Sequence, residues 1–213
     1  MVAAMAILHD YWRSSASYRV RIALNLKGVD YERRPVDLLA GAQRSDDYRA
    51  LNPQGFVPML EIDGHRLVQS LAILDYLEAT RPEPALLPPD AADRAHVLAL
   101  AGVVACDIHP LNNLRVLKHI TRELGADDAA KKAWIARWIL DGFAALEALA
   151  APRTGAFLFG DSPTLADICL VPQLYNARRF EVPLDDFALL TRVDAAANAL
   201  PAFAAAHPDS VAP

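Results

Sequence analysis

Tyr11-Trp12-Arg13-Ser14-Ser15-Ala16-Ser17-Tyr18-Arg19-Val20-Arg21 is the stretch on which the fold turns. Ahead of it, the apolar run from Ala6 to Leu8 reads as a strand. Behind it, Val20, Ile22, Ala23, Leu24 and Leu26 make one apolar side of a helix. The hydroxyl cluster Ser14, Ser15 and Ser17 therefore lies where a strand hands over to a helix N-terminus. Such a position offers free backbone N–H groups and a partial positive charge, and it stabilises an anion, a thiolate included. The same serines are also what a helix N-cap requires. The segment alone leaves capping and anion binding both open.

Working outward, a first strand is predicted over 6–10 and a first helix over 15–27, ended by Gly28 as its C-cap. A second strand follows over 31–36, then a polar, exposed helical stretch from Ala40 to Arg49. Asn52-Pro53 and Gln54-Gly55 are turn signals before a strand from Val57 to Ile62. Pro58 at its start removes a ladder donor, which predicts an edge, a special turn or a cis peptide. Asp63-Gly64 reads as a hairpin turn into His65 to Val68. Gln69-Ser70 then opens an apolar-periodic helix through Leu71, Ile73, Leu74, Tyr76 and Leu77. The order is βαβ, then α, then ββα.

From Arg81 to Asp90 the chain holds Pro82, Pro84, Pro88 and Pro89, and it reads as a linker. Beyond it the composition turns to Ala and Leu, with helices expected near 90–122, 127–151, 164–178 and 187–199. His109-Pro110 is expected to bend the first of these, and 207–213 reads as a loose tail. Thr164-Leu165-Ala166-Asp167 before an apolar run is a capping box, a structural signal.

The 213 residues are 54% hydrophobic and 22% charged, the composition of an ordinary soluble chain. A formal net charge of -5 provides no broad basic field for nucleic acid. Cys106 and Cys169 lie far apart in apolar runs and form no CxxC pair. They read as buried structural thiols in a reducing compartment, with no metal site. Met1 to Ala6 carries no charged n-region of a signal peptide. No run reaches the length of a membrane span, so a soluble, cytoplasmic protein is expected.

Together these pieces resemble the cytosolic glutathione transferases. The segments Ser14 to Leu24, Leu51-Asn52-Pro53, Val57-Pro58, Gln69-Ser70-Leu71-Ala72-Ile73 and Leu170-Val171-Pro172-Gln173 are similar to the zeta class, over nearly the whole chain. The resemblance implies an α+β thioredoxin-like N-terminal domain (βαβ-α-ββα) over 1–82, a linker over 83–90 and an all-α helical domain over 91–213. It also implies glutathione as cofactor, a homodimer, and cis–trans isomerisation of maleylacetoacetate to fumarylacetoacetate by reversible thiolate addition. The alternatives within it are isomerisation of maleylpyruvate in gentisate catabolism, and general transfer of glutathione to small electrophiles such as haloacids. One position departs from the class: Ala16 stands where the usual pattern has cysteine. Chemistry must then run through the thiol of glutathione itself. The departure also keeps open a protein that retains the fold for binding and lacks catalysis.

Each part of glutathione has a candidate. Ser14 or Ser15 donates to the thiolate; lowering a thiol pKa by about 1.5 units, roughly 2 kcal/mol, multiplies the thiolate several-fold at neutral pH. Val57, before Pro58, offers its N–H and C=O to the tripeptide backbone. Gln69 and Ser70, at a helix N-terminus, suit a carboxylate, with capping as the alternative. By resemblance, His109 and Asn113 lie near glutathione, and Arg13, Arg115 and Arg179 bind the substrate. Guanidinium forks match the two carboxylates of a diketo diacid. For Arg178 and Arg179, a solvated helix face is the alternative.

Overall fold

The computed structural model describes residues 5–213; most of Met1 to Ala6, read above as no leader, lies outside them. β1 (Ala6–Asp10) has Ala6, Leu8, His9 and Asp10 buried, as an interior strand must. It pairs in parallel with β2 (Tyr31–Pro35) and antiparallel with β3 (Met59–Ile62), which pairs antiparallel with β4 (His65–Val68). The order is β2-β1-β3-β4. The parallel pair requires a crossover, which α1 (Ser15–Leu26) supplies. Lys27 occupies the C-cap of α1, and Gly28, expected there, stands one residue past the cap.

The polar stretch from Ala40 to Arg49 is not one helix. It divides into a 3₁₀ turn at Ala42–Arg44 and α2 (Asp46–Leu51), because the Ser45 hydroxyl accepts from Tyr48 N–H and starts a new helix there. β3 begins at Met59 rather than Val57, after the Val57–Pro58 peptide, which is cis. Asp63 and Gly64 both have positive φ, 53° and 78°, the conformation of a two-residue hairpin. α3 (Ser70–Thr80) follows β4.

Among the described residues, those up to Ala85 together with Leu200–Pro213 form one compact unit, and Leu86–Ala199 form the other. The helical domain expected over 91–213 does not extend through Pro213, and the tail expected over 207–213 is not loose. Instead α9 (Pro201–Ala206) and α10 (Pro208–Val211) belong with the sheet. The reason lies in α1. Val20, Ile22, Ala23 and Leu24 are all fully buried, and Arg19 and Arg21 are buried with them, so α1 is enclosed almost all round and needs cover beyond the sheet. It packs against α3 and α9. Lys27 closes the start of the linker onto the same unit: its ammonium pairs with Glu78 at 2.6 Å and donates to the Pro84 carbonyl at 2.6 Å.

The helical unit holds α4 (Ala91–Gly102), a π-helical segment at Val103–Ile108, α5 (Leu114–Arg122), α6 (Asp128–Ala150), α7 (Leu165–Arg179) and α8 (Ala188–Asn198). The bend expected at His109-Pro110 takes the form of the π segment and a turn before α5. Cys106 is exposed, against the expectation of burial, whereas Cys169 is buried. Val104 and Ile108 take the inward face of the π segment, and the residue midway between them faces out. Among the described residues, no group of His, Cys, Asp and Glu could hold a metal ion, and no helix is long and apolar enough to cross a membrane.

The capping box forms at the start of α7, whose first ten residues are all buried. Asp167 accepts from Thr164 N–H at 2.7 Å, the Thr164 hydroxyl at 2.8 Å and Leu158 N–H at 2.8 Å. Burial pushes its carboxyl up, and the donated bonds pull it back. Asp167→Asn turns one acceptor into an NH₂ facing N–H groups, so we expect a loss of about 2 kcal/mol in urea unfolding. An unchanged midpoint would show that the box carries no stability.

Candidate active site

The strand register brings three chain segments to one end of the sheet. His9 of β1 opposes Met59 of β3, and Met59 opposes Val68 of β4. The loop leaving β1 (11–14), the residues entering β3 (Val57-Pro58) and the residues leaving β4 (Gln69-Ser70) therefore share that end. Seven of the expected residues meet here: Arg13, Ser14, Ser15, Val57, Pro58, Gln69 and Ser70.

The loop after β1 is a tight turn in which Ser14 N–H donates to the Tyr11 carbonyl at 2.8 Å. Ser14 is the N-cap of α1, its Oγ accepting from Ser17 N–H at 3.2 Å. Capping is thus realised, but it uses the oxygen as an acceptor. Among the described residues the Ser14 proton has no acceptor, and Ser14 is half-buried where Ser15 is buried. The first N–H groups of α1 open to the same place. One hydroxyl both closes the helix and retains a donor for an anion.

Arg13, in the same turn, lies with its guanidinium 4.5 Å from the Trp12 ring centroid and donates to the Tyr11 hydroxyl at 3.3 Å. Its Nε is buried with no hydrogen-bond partner among the described residues, and no carboxylate pairs with it. A guanidinium held by an aromatic face and left without a counter-ion is prepared for an external anion.

Val57 is set by a knot of bonds around its neighbour. The Tyr48 hydroxyl and Asn52 Nδ2 both donate to the Phe56 carbonyl, at 2.7 and 2.8 Å, and Gln54 N–H donates to Asn52 Oδ1 at 3.1 Å. Burial pushes the Tyr48 phenol up to about 12, so it remains a donor. Gly55 has φ +63°, and a Cβ there would come within 2.7 Å of the Gln43 carbonyl oxygen, so only glycine fits. Among the described residues the Val57 backbone makes no hydrogen bond, which leaves its N–H and C=O for another chain to pair.

Gln69 occupies the N-cap position of α3 without a side-chain cap bond, so the capping alternative fails for it. Its φ of 70° and ψ of 118° are far from the ordinary regions, a cost of about 1–3 kcal/mol for a residue with a Cβ. Among the described residues its side chain is anchored only to Gln54 Oε1 (2.7 Å), and backbone strain of that size marks a position set for something other than stability. Ser70 is buried and accepts from Arg19 Nη1 at 3.3 Å, which ties the start of α3 to α1.

The other expected residues lie in the helical unit. Asn113 caps α5 by accepting from Arg115 N–H at 3.1 Å, a structural role the sequence reading did not assign. His109 ends the π segment, its N–H bonded to the Val104 carbonyl. Arg115 is exposed on the first turn of α5. Arg179 is exposed at the end of α7 with its guanidinium 4.6 Å from the Phe180 ring centroid, while Arg178 pairs with Asp194 at 2.6 Å.

Asp10, Arg19 and Arg21, buried charged groups of the same unit, are not among the expected site residues. The signal was present: two arginines interleaved with Val20 and Ile22 in an apolar helix call for buried partners. The N-terminal domain of the glutathione S-transferase family matches residues 5–79, and its C-terminal domain matches 128–206. A maleylacetoacetate isomerase of Rhizobium meliloti (strain 1021) is 53% identical over 97% of this chain and 98% of its own. The holo structure of maleyl pyruvate isomerase, a bacterial zeta-class glutathione S-transferase, superposes with a TM-score of 0.95 at 50% identity, over 97% and 98% of the two chains. The maleylacetoacetate isomerase of Anaeromyxobacter dehalogenans 2CP-1, solved with glutathione bound in the active site, superposes with a TM-score of 0.88 at 48% identity, over 98% and 97%. The same enzyme has been solved with dicarboxyethyl glutathione and citrate bound there, at a TM-score of 0.87 and 46% identity, over 98% and 96%.

Proposed function

Because the chain belongs to the glutathione S-transferase family, we propose that it is a glutathione-dependent cis–trans isomerase that converts maleylacetoacetate to fumarylacetoacetate. One observation carries the reading: the buried Nε of Arg13, unpartnered among the described residues, beside an N-cap serine whose proton has no acceptor among them. That pair fits a thiolate and a carboxylate side by side. Glutathione, when bound, supplies the thiolate that adds reversibly to the cis double bond and leaves once the bond has turned.

The residues of the chain do the rest. Ser14 donates to the thiolate and, with the N-terminus of α1, holds the thiol pKa down; Ser15, buried behind it, fixes the first turn. Val57 pairs with the peptide backbone, beside Pro58. Gln69 and the N-terminus of α3 at Ser70 hold a carboxylate. Arg13 faces the diacid and stabilises the negative charge that develops on the carbonyl conjugated to the turning bond. In the helical unit, Arg115 and Arg179 hold the distal carboxylate, and His109 and Asn113 contact glutathione, as the family resemblance implies. Ala16 brings no second thiol to the helix start, so glutathione is the one nucleophile. The reading extends to a homodimer in the cytoplasm.

Maleylacetoacetate supplied with and without glutathione tests the proposal. We expect fumaryl product only when glutathione is present; equal rates in both arms would sink it. Maleylpyruvate is the second reading, favoured by the TM-score of 0.95 to an isomerase of that name, and it enters the same assay as a competing substrate.

A further inference from the structure

Arg21 has no surface at all, and neither does Asp10. A guanidinium is taken fully out of water only when its N–H groups are matched, and three matches are present here. Nη1 donates to Asp10 Oδ2 at 2.8 Å, Nη2 to the Trp12 carbonyl at 3.0 Å, and Nε to the Ala206 carbonyl at 3.0 Å. The plane of the group is held against the Tyr18 ring, 5.3 Å from its centroid. Each partner belongs to a different part of the sheet unit. Asp10 ends β1. Trp12 is a central residue of the turn that carries Arg13 and Ser14. Ala206 ends α9.

Asp10 extends the network. Its two carboxylate oxygens also accept from Arg33 Nε and Nη2, both at 3.2 Å, and Arg33 Nη1 donates to the Val211 carbonyl at 2.8 Å. The last two helices thus bind, through two arginines, the same carboxylate that fixes Arg21. Tyr18 touches this segment as well, edge-on to His207 with ring centroids 6.0 Å apart.

We propose that Arg21 is a positioning residue for the thiol end of the site, and that through it the C-terminal segment Pro201–Val211 forms part of the frame that sets the Trp12-Arg13-Ser14 turn. The inference rests on the glutathione reading of that turn. A carbonyl gripped by a buried fork cannot rotate, so the turn keeps the register in which Ser14 N–H meets Tyr11 and Ser14 Oγ faces outward. Only an arginine can do this. A lysine in its place keeps the charge opposite Asp10 but cannot reach Trp12 and Ala206 at once.

The test compares Arg21→Lys with Asn25→Ala. Asn25 also ties α1 to α9, through Nδ2 to the Ala202 carbonyl at 2.9 Å, but it does not touch the turn. The full-length proteins are loaded with glutathione, and the bound thiol is titrated by its ultraviolet thiolate absorbance below both melting temperatures. We expect both variants to melt earlier. Arg21→Lys alone should raise the KM for glutathione about tenfold and move the thiol titration upward by about half a unit. Asp10→Asn, which weakens the grip without removing it, should move both in the same direction by less, and it serves where Arg21→Lys does not fold. Unchanged KM and titration in Arg21→Lys, or in Asp10→Asn where it stands in, overturn the proposal; so does an equal shift in Asn25→Ala. Absence of any thiolate band in the unsubstituted protein overturns the glutathione reading and this one together. A normal band there, with no shift in the variants, overturns this one alone.

Discussion

Arg13→Ala should lower kcat/KM for the maleyl diacid by about 10²–10³, or roughly 3–4 kcal/mol, while conjugation of glutathione to a neutral aryl halide stays within a few-fold of the unsubstituted rate. The size follows from the state of the group. Among the described residues Arg13 has no carboxylate partner and its Nε is buried without an acceptor, and Trp12 holds the plane of the fork 4.5 Å away. Little is lost in ordering it when a carboxylate arrives, so nearly all of a two-bond, charge-assisted contact appears as binding and transition-state stabilisation. Its removal leaves no buried counter-charge stranded, so folding stability should change by less than about 0.5 kcal/mol. Arg13→Lys should recover little activity, because an ammonium cannot make the fork. Equal losses on the diacid and the neutral electrophile would place Arg13 on glutathione instead of the substrate.

Ser14→Ala should lower kcat/KM about 100-fold for both kinds of substrate, equal to about 2.7 kcal/mol. The shared loss distinguishes it from Arg13: the thiolate is common to both reactions. The substitution removes two things that separate experiments can tell apart. Loss of the cap on Ser17 N–H costs about 1 kcal/mol of stability, read by urea unfolding. Loss of the donor raises the pKa of the bound thiol toward the ordinary value near 8.5, read by the pH profile. The sign is fixed: a raised pKa leaves less thiolate at neutral pH, so the deficit should shrink as the pH climbs through that value. Ser14→Thr keeps a hydroxyl that can cap and donate, and should keep most of the activity. If Ser15→Ala is the inactive variant and Ser14→Ala is not, the roles assigned to the two serines are reversed.

Much of this was legible in the residues because it is local. The β1-to-α1 hand-over, the stop near Gly28, the Asp63-Gly64 hairpin, the start of α3 at Ser70 and the Thr164–Asp167 box each depend on interactions within about four residues, where side-chain chemistry and backbone sterics decide alone. That the three candidate loops share one end of the sheet follows from the strand order β2-β1-β3-β4, which the local signals do not contain. The errors were non-local. Leu200–Pro213 read as an end of the helical domain because nothing near it in sequence shows that α1 needs a second cover. Cys106 read as buried because its neighbours are apolar, whereas its position on the π segment turns it outward.

The sequence by itself determined the hand-over from β1 to α1, the hairpin at Asp63-Gly64, the helix starts set by local caps, and which side chains could serve an anion. The tertiary structure decided three further things: that Ser14 caps through its oxygen while its proton meets no acceptor among the described residues, that Gln69 is held in a strained conformation, and that Asp10, Trp12 and Ala206 converge on Arg21. A buried charge acquires a role only from the groups that satisfy it. Two of those that satisfy Arg21 lie close by in the chain, but Ala206 is 185 residues away, and only the packed fold brings them together.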